Sequence, residues 1–178
     1  MSERRKGVVG SQFVALIVVA SCAAPASAAE LHYAPLENLE RLDVQTLNSA
    51  RKTIDVAAYV LTDWPVIQAL VAAAYRGVAI RVYVDGGQAG HADMDPTGPF
   101  GKLVAAPHVT VKEKHPGRPI MHLKSYCVDA HLFRTGSANL SASGLKQQDN
   151  DLLLFDDPKM CEDFTIEFDE IWAGKDAE

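Results

Sequence analysis

The chain has few cysteines, few aromatic residues and no apolar run long enough to cross a membrane. Among 178 residues, three are cysteine and 7% are aromatic. The main apolar stretch covers residues 13–20, whereas a membrane-spanning helix takes roughly 20 residues. With 48% hydrophobic and 22% charged residues, the composition is that of an ordinary globular domain. We therefore expect one folded domain with no transmembrane segment in the mature chain.

The N-terminal residues follow the order of a secretory signal peptide. A basic start at residues 4–6 precedes the apolar stretch 13–20, and small residues dominate from 21 to 29. This order predicts that residues 1–29 are a signal peptide and that residues 30–178 form the mature domain.

Two processing routes fit the same segment. Cleavage after Ala28 or Ala29 would release a periplasmic or secreted protein. Residues 19–22 also resemble the lipobox of bacterial lipoproteins, in which Cys22 is acylated and becomes the new terminus. The prediction is therefore export, with lipid anchoring through Cys22 as the open alternative.

The mature domain is predicted to be acidic. Loss of residues 1–29 removes three basic residues and one acidic residue, so the net charge of −6 becomes −8. An acidic protein repels nucleic acid at long range, which argues against a high-affinity DNA-binding protein. Contact with nucleic acid then requires a local basic patch. The loop 114–119 is basic, and its Arg118 is either a phosphate contact or a solvated loop residue.

The two cysteines of the mature domain, Cys127 and Cys161, leave the redox question open. An oxidising compartment permits a disulfide between them. The sequence fits a pair of buried free thiols equally well, because pairing cannot be deduced from spacing alone.

Strands and helices alternate in the first half of the chain, and strands cluster in the second. Residues 53–60 are rich in β-branched and aromatic types, which favours a buried strand. The Ala-rich residues 66–76, followed by Gly77, favour a helix. The predicted strands cover residues 53–60, 78–84, 108–112, 121–128, 132–135 and 151–155, and the predicted helices cover 38–50, 66–76, 100–105 and 158–173. This order predicts a single α/β domain with a mixed β-sheet flanked by helices.

A charged pattern stands within the predicted strand 121–128. His122 and Lys124 are two residues apart, so a strand would present both side chains on one face. Asp129 follows the strand, where a turn can bring it round to fix the imidazole or the ammonium. A neutral imidazole is a competent nucleophile near pH 7, because its ordinary pKa is about 6.5. Lys124 would hold a phosphate oxygen and offset the charge that builds up at phosphorus.

Hydrogen-bonding groups follow the next predicted strand. Gly136 permits a close backbone approach. Ser137 adds a hydroxyl that can bind phosphate or hold another side chain in place, and Asn139 adds an amide that can donate to phosphate oxygens. The pattern predicts a catalytic set of His122, Lys124 and Asp129, with Lys124, Ser137 and Asn139 binding the substrate phosphate.

The order His122-x-Lys124-x₄-Asp129 followed by Gly136-Ser137-x-Asn139 resembles the signature of the phospholipase D superfamily. Over residues 31–172 the chain is similar to the single-domain, endonuclease-like bacterial members. The resemblance implies a metal-independent, two-step hydrolysis of phosphodiesters through a phosphohistidine, with no cofactor. The family uses two histidines and this chain has one His-x-Lys, so the resemblance implies a homodimer that pairs two copies of the motif.

One part of the family pattern is missing. Many relatives carry a glutamate a dozen or so residues after the Gly-Ser-x-Asn segment, whereas here the segment 147–151 offers Asp149 or Asp151. Which of the two supports the site is left open. The other histidines have no spacing typical of zinc ligands, so we expect no metal site.

Three functions compete at this point. The first is a nuclease acting on DNA or RNA. The second keeps the chemistry but releases the head group of a phospholipid, which suits the acidic charge and a lipid anchor. The third is an inactive relative that only binds a phosphorylated ligand, against which the complete set of His, Lys, Asp, Ser and Asn argues.

Overall fold

A mixed sheet of seven strands runs through the domain, and helices cover both of its faces. The computed structural model describes residues 29–89, 97–115 and 117–174; the predicted signal peptide, except Ala29, lies outside them. The strands are β1 (Ala29–Ala34), β2 (Thr53–Ala58), β3 (Ala79–Asp85), β4 (Val109–Lys114), β5 (Lys124–Val128), β6 (Leu132–Thr135) and β7 (Asn150–Asp156). The helices are α1 (Leu39–Ser49), α2 (Trp64–Tyr75), α3 (Gly86–Ala89), α4 (Pro99–Val104), α5 (Ala142–Lys146) and α6 (Pro158–Trp172).

The strand order brings several chain turns to one edge of the sheet. The order is β1-β7-β6-β5-β2-β3-β4. Strands β2, β3 and β4 are parallel, and the remaining neighbours are antiparallel. The carboxyl ends of β2, β3, β4 and β6 therefore share one edge with the amino ends of β5 and β7. This arrangement confirms the predicted α/β domain with a mixed sheet flanked by helices.

Side-chain alternation divides the core between the two faces of the sheet. The larger cluster lies under α1, α2, α4 and α5 and includes Ile54, Val56 and Val82. The smaller cluster lies under α6 and includes Ala57 and Tyr83. Consecutive residues such as Val56 and Ala57 thus serve opposite layers, which explains why the second half of β2 is apolar on both faces.

Asparagine and aspartate side chains begin the three long helices. Asn38 accepts the backbone N–H of Arg41 at the start of α1, and Asp63 does the same for Val66 in α2. Asp157 caps α6, with Pro158 in the first turn. These short polar side chains satisfy N–H groups that a helix start leaves without partners.

Three local features differ from the predicted pattern. Strand β5 begins at Lys124 and not at residue 121, so His122 lies just before the strand. The sequence patterns did not predict β1 or α5. Strand β1 has mostly exposed side chains and pairs only with β7 at the margin of the sheet, which leaves little apolar alternation to detect. Within the described ranges, no helix is long and apolar enough to cross a membrane.

The two cysteines of the mature domain form a disulfide. Cys127 in β5 is bonded to Cys161 in α6, with their Cα atoms 5.6 Å apart. Both residues are buried in the smaller core cluster. The bond fastens α6 to the centre of the sheet and answers the question that the spacing of the cysteines left open.

A buried carboxylate at the start of α2 makes stability depend on pH. Asp63 is fully buried, and its Oδ2 accepts no hydrogen bond among the described residues. The ammonium of Lys146 lies 3.8 Å from that oxygen but is also paired with Glu40. Burial, with a smaller contribution from the charge of Glu40, raises the pKa of Asp63 to about 6. The folded state therefore favours protonated Asp63. The stability that this group contributes at low pH is lost as pH rises from about 4 through 6.

Asp63→Asn is expected to stabilise the protein at pH 8 by about 2 kcal/mol and to have little effect at pH 4, because the amide keeps the helix cap without a buried charge. Urea unfolding at both pH values measures the difference. Asp157→Asn, the same change at the partly exposed cap of α6, should give a similar small effect at both pH values. A loss of stability at pH 8 in Asp63→Asn would show that the charge of Asp63 is favourable.

Candidate active site

The His122 imidazole lies at the edge of the sheet where β2, β3 and β4 end. The side chain is exposed, and its ring packs against the ring of Tyr59 with centroids 4.5 Å apart. Tyr59 directly follows β2, and its backbone N–H donates to the carbonyl of Leu123 at 2.7 Å. The phenol oxygen of Tyr59 accepts a hydrogen bond from Gln88 at 3.2 Å. These contacts fix the ring against which the imidazole rests.

Lys124 comes to the same tyrosine ring. Its ammonium lies 4.9 Å from the centroid of Tyr59 and donates to the carbonyl of His122 at 2.6 Å. The residue is 7% exposed. Burial lowers the pKa of Lys124, and the nearby charge of Arg134 lowers it further. The structure thus brings His122 and Lys124 together, as the sequence predicted, although His122 stands outside the strand.

A buried carboxylate holds the segment that carries His122. Asp85 ends β3 and is 5% exposed. Its Oδ2 accepts the backbone N–H of Met121 at 3.0 Å, and its Oδ1 accepts those of Gly87 and Gln88 at 3.0 and 3.3 Å. Asp85 therefore fixes the residue before His122 and the loop that carries Gln88. The sequence patterns did not single out Asp85 as a site residue.

The segment after β6 runs beside Lys124 and needs a glycine. Gly136 has φ of +137°, and a Cβ atom there would lie 2.5 Å from the carbonyl oxygen of Asp151. Neither the backbone angle nor the space admits a side chain, which confirms the predicted close approach. The neighbouring Ser125 and Thr135 hydroxyls are hydrogen-bonded at 3.0 Å, so β5 and β6 stay paired up to this point.

Ser137 joins this segment to β7. Its hydroxyl donates to Asn150 Oδ1 at 3.1 Å and accepts the backbone N–H of Asp151 at 2.9 Å. Its own N–H donates to the carboxylate of Asp151 at 3.1 Å, and the Ser137 contact lowers the pKa of Asp151. The prediction that Ser137 binds substrate phosphate is not supported, because a hydroxyl has one proton and Asn150 accepts it. The other predicted role, holding another side chain, fits these contacts.

Asn139 is partly buried, and its carboxamide oxygen has no hydrogen-bond partner within the described ranges. The preceding carbonyl, of Ala138, accepts a hydrogen bond from the Arg134 guanidinium at 3.2 Å. The same guanidinium donates to the carbonyl of Lys124 at 2.6 Å. One guanidinium thereby holds the backbone just before Asn139 to the backbone of Lys124.

The Arg134 guanidinium is fully buried and is neutralised by Asp43 of α1. Two of its nitrogens contact the two carboxylate oxygens of Asp43 at 3.0 and 3.1 Å. The Tyr126 hydroxyl donates to the same carboxylate at 2.9 Å. This ion pair supports both β5 and the segment after β6, because Arg134 donates to the carbonyls of Lys124 and Ala138 at once. Sequence patterns missed it, although an aspartate between Leu39 and Leu47 on the apolar face of a helix is a signal for a buried partner.

Asp129 lies at the opposite edge of the sheet from His122. Its carboxylate accepts the backbone N–H groups of Arg51, Lys52 and Thr53 at 2.8, 2.7 and 2.9 Å. Burial alone would raise the pKa of Asp129, but these three donors outweigh it and hold the pKa below its usual range. Asp129 lies five positions after Lys124, which along a strand is roughly 17 Å. The prediction that Asp129 fixes the imidazole or the lysine is therefore wrong, because its carboxylate anchors the start of β2.

The other acidic and histidine candidates take structural positions. Asp151 contacts Ser137, and Asp149 lies exposed beside it in a groove of about 640 Å³. His32 pairs with Glu37 at 2.7 Å, and His131 pairs with Asp156 at 2.9 Å. Within the described ranges, no three His, Cys, Asp or Glu side chains come together as a set of metal ligands.

Comparison with known proteins identifies the family. A family model described as "Cardiolipin synthase, PLD-like domain" matches residues 44–172. The chain belongs to the phospholipase D superfamily. A curated relative, the mitochondrial cardiolipin hydrolase of Chlamydomonas reinhardtii, is 25% identical over 126 residues, which make up 71% of this chain. The match covers 54% of that protein, so the chain spans about half the length of this phospholipase D relative.

Two solved structures share the fold over most of their length. Nuc from Salmonella typhimurium, a phospholipase D family member, has a TM-score of 0.71 and 23% identity, and the match covers 83% of this chain and 95% of that one. NucT from Helicobacter pylori has a TM-score of 0.69 and 21% identity, with 83% and 96% covered. Both the family and the fold predicted from the His-x-Lys signature are thus confirmed.

Proposed function

We propose that this chain is an exported phosphodiesterase in which the His122 imidazole attacks phosphorus. One observation carries the proposal. An exposed imidazole and a largely buried ammonium, from His122 and Lys124, rest on the same ring of Tyr59. A phosphate placed over the imidazole meets the ammonium of Lys124, and we assign the amide of Asn139, on the segment after β6, as a further donor to it. Nucleophile, charge and hydrogen-bond donor then converge on one phosphoryl group.

The proposed reaction has two displacements at phosphorus. In the first, an imidazole nitrogen of His122 forms a bond to phosphorus, the bond from phosphorus to the leaving oxygen breaks, and that oxygen takes a proton from a second imidazole. In the second displacement, the second imidazole, now neutral, takes a proton from water. The hydroxide oxygen then bonds to phosphorus, and the bond between phosphorus and His122 breaks. The products are a phosphomonoester and an alcohol. No electrons are transferred, and no metal ion is needed to balance either step.

Two groups in the site match the charge changes of these steps. The Lys124 ammonium has three donors, of which the carbonyl of His122 accepts one. Partial burial strengthens its attraction for a phosphate oxygen relative to a fully solvated lysine. The amide oxygen of Asn139 occupies a buried position that lacks a partner. A half-turn about the last side-chain bond would place the NH₂ group there instead. The NH₂ group suits a phosphate oxygen.

The second imidazole is proposed to come from a second copy of the chain. The sequence contains a single His-x-Lys pair, and His32 and His131 pair with acidic groups elsewhere. A two-fold axis near His122 would place His122 of the partner subunit on the far side of the phosphate. The exposed position of His122 at the edge of the sheet leaves room for such a copy.

Export is supported by the disulfide and by the N-terminal sequence. Structural disulfides persist in oxidising compartments such as the bacterial periplasm and the extracellular medium. The bond between Cys127 and Cys161 is buried in the core. We propose a periplasmic or secreted protein, with residues 1–29 as its signal peptide and Cys22 as the site of lipidation if the lipoprotein route operates.

Nucleic acid is the proposed substrate, and a phospholipid is the second candidate. The first rests on the single-motif, endonuclease-like signature. The second is favoured by the name of the Chlamydomonas relative, a cardiolipin hydrolase. It is also favoured by the exposed apolar side chains of Leu31, Tyr33 and Leu36, which line the groove of about 640 Å³ that reaches Ser137.

A single assay separates the candidates. The mature protein is incubated in EDTA with single-stranded DNA, with plasmid DNA, with cardiolipin or phosphatidylcholine vesicles, and with bis(p-nitrophenyl) phosphate. Cleavage of DNA without lipid turnover is the expected result. Lipid turnover without DNA cleavage would replace the nuclease by the phospholipase. Loss of all activity in EDTA, restored by a divalent cation, would contradict the metal-independent mechanism, and inactivity under every condition would favour a phosphate-binding relative.

A further inference from the structure

Another concave surface lies between the edge strand β4 and the end of α6. The cavity has a volume of about 360 Å³. Its polar lining comes from Lys112 and Lys114 of β4 and from His115 and Arg118 of the following loop, and Trp172 of α6 closes the other side. None of these residues belongs to the motif around His122.

The charge of this cavity is opposite to that of the whole protein. The chain carries a net charge of −6. The cavity lining nevertheless contains three permanent cations, Lys112, Lys114 and Arg118, against the single carboxylate of Glu113. A local reversal of charge on an acidic protein directs polyanions to that place. This is the local basic patch that contact with nucleic acid requires.

The lysines form a row along an extended strand. Lys112 and Lys114 are two residues apart in β4, so their side chains leave the same face about 7 Å from each other. Lys112 is held in position, because its ammonium donates to the carbonyl of Trp172 at 3.1 Å and lies 4.6 Å from the centroid of that ring. A row of cations at fixed intervals matches a polymer with regularly spaced charges.

The cavity lies at the same edge of the sheet as His122, three strands away. Lys114 is the register partner of Asp85 in β3, and the carboxylate of Asp85 binds the N–H of Met121, the residue before His122. Three strand spacings separate β4 from β5, so Lys114 lies on the order of 14 Å from Lys124 along the edge of the sheet. A strand cleaved at His122 could therefore reach the cavity with a few further nucleotides.

We propose that the cavity formed by Lys112, Lys114 and Arg118 binds backbone phosphates of the nucleic-acid strand on one side of the cleaved bond. This inference rests on the proposed function and assigns that site a substrate-binding surface outside the motif. A nucleic-acid strand fits better than a flat membrane, because the cations line a concavity that lies three strands away from the nucleophile.

Binding is tested apart from turnover. Anisotropy of a labelled single-stranded 20-mer is measured with His122→Ala and with His122→Ala carrying Lys112→Gln and Lys114→Gln. In the variant with both lysines replaced, the dissociation constant should rise about tenfold at low salt. The negative slope of log association constant against log salt should become shallower by about 1.4, or 0.7 for each lost phosphate contact. The matched control, His122→Ala with Lys52→Gln and Lys159→Gln, has the same net charge but changes exposed lysines at the opposite edge of the sheet.

Turnover separates this inference from the proposed function. With His122 intact, the Lys112→Gln, Lys114→Gln protein should cleave bis(p-nitrophenyl) phosphate as fast as wild type. Its KM for the 20-mer should rise. Equal oligonucleotide affinity in the cavity variant and the control would overturn the inference even if DNA is cleaved. Weaker co-sedimentation with anionic vesicles, with unchanged oligonucleotide binding, would also overturn it and assign the cavity to a membrane. A wild-type protein that binds the 20-mer through these lysines but cleaves no diester would contradict the proposed function alone.

Discussion

His122→Ala is expected to lower kcat for bis(p-nitrophenyl) phosphate by at least roughly 10⁴-fold while leaving the fold intact. Loss of the nucleophile removes the covalent route, and losses of this scale or larger follow removal of a nucleophile in other enzymes. The side chain is exposed and rests on Tyr59, so the midpoint of thermal unfolding should change by no more than a few degrees. Steady-state kinetics and a thermal melt measure the two effects.

His131→Ala is the matched control for this experiment. His131 is also an exposed histidine, but it lies in the turn after β5 at the opposite edge of the sheet, where it pairs with Asp156. We expect full activity from this variant, because an exposed ion pair contributes about 1 kcal/mol or less. If His122→Ala kept more than a tenth of wild-type kcat, the nucleophile would be misassigned.

Mixed subunits test whether one site uses two copies of His122. Wild-type and His122→Ala chains are unfolded together, refolded at varied ratios and assayed at constant total protein. If each site needs His122 from both subunits, activity should fall as the square of the wild-type fraction. A linear fall would show that a single chain supplies all the catalytic histidines, and the proposed homodimeric site would then be wrong.

Asp43→Asn is expected to destabilise the protein by about 3–5 kcal/mol, the cost of leaving a buried charge without its partner. The change is nearly isosteric, so the loss is electrostatic and not a matter of volume. It leaves the fully buried guanidinium of Arg134 facing a neutral amide. Because a typical domain has only 5–15 kcal/mol of stability, this one substitution removes a large share of it. Urea unfolding at pH 7 gives the difference.

Two further variants keep the Asp43 prediction testable. Asp163→Asn makes the same chemical change in the exposed pair with Lys159 and should cost less than about 1 kcal/mol. If Asp43→Asn does not fold, the double variant Asp43→Leu, Arg134→Met removes both charges and should recover a folded protein. That protein should still have a reduced kcat, because the carbonyls of Lys124 and Ala138 lose their common donor. A cost below 1 kcal/mol for Asp43→Asn would contradict the account of this ion pair.

The sheet could be predicted from the sequence because its strands have strong and regular patterns. Strands β2 and β3 are rich in β-branched and other apolar residues, and Gly77 marks the end of α2. Strand β1 escaped prediction because the signal that forms it is its pairing with β7, a long-range contact with few buried side chains. A local pattern carries no information about such a partner.

The site was predicted in part. Spacing predicted that His122 and Lys124 meet, and they do so on Tyr59. Spacing also grouped Asp129 with them, but a strand of five residues carries Asp129 to the other edge of the sheet. Residues that are adjacent in a motif need not be adjacent in a site when a strand intervenes.

The supporting residues were missed because each gains its role from a distant partner. Asp43 and Arg134 are 91 residues apart in the chain, and Asp85 and Met121 are 36 apart. Only a charge on an otherwise apolar helix face hinted at the first pair. Nothing local distinguishes the carboxylate of Asp85 from an ordinary turn residue.

The most direct test of the central claim is to locate the covalent intermediate. Wild-type protein is mixed rapidly with a diester substrate and quenched in alkali, in which phosphohistidine survives, and the peptides are mapped by mass spectrometry. The account predicts a phosphoryl adduct on the peptide that contains His122, present also in His131→Ala and absent from His122→Ala. An adduct on any other residue, or one that persists when His122 is alanine, would contradict it.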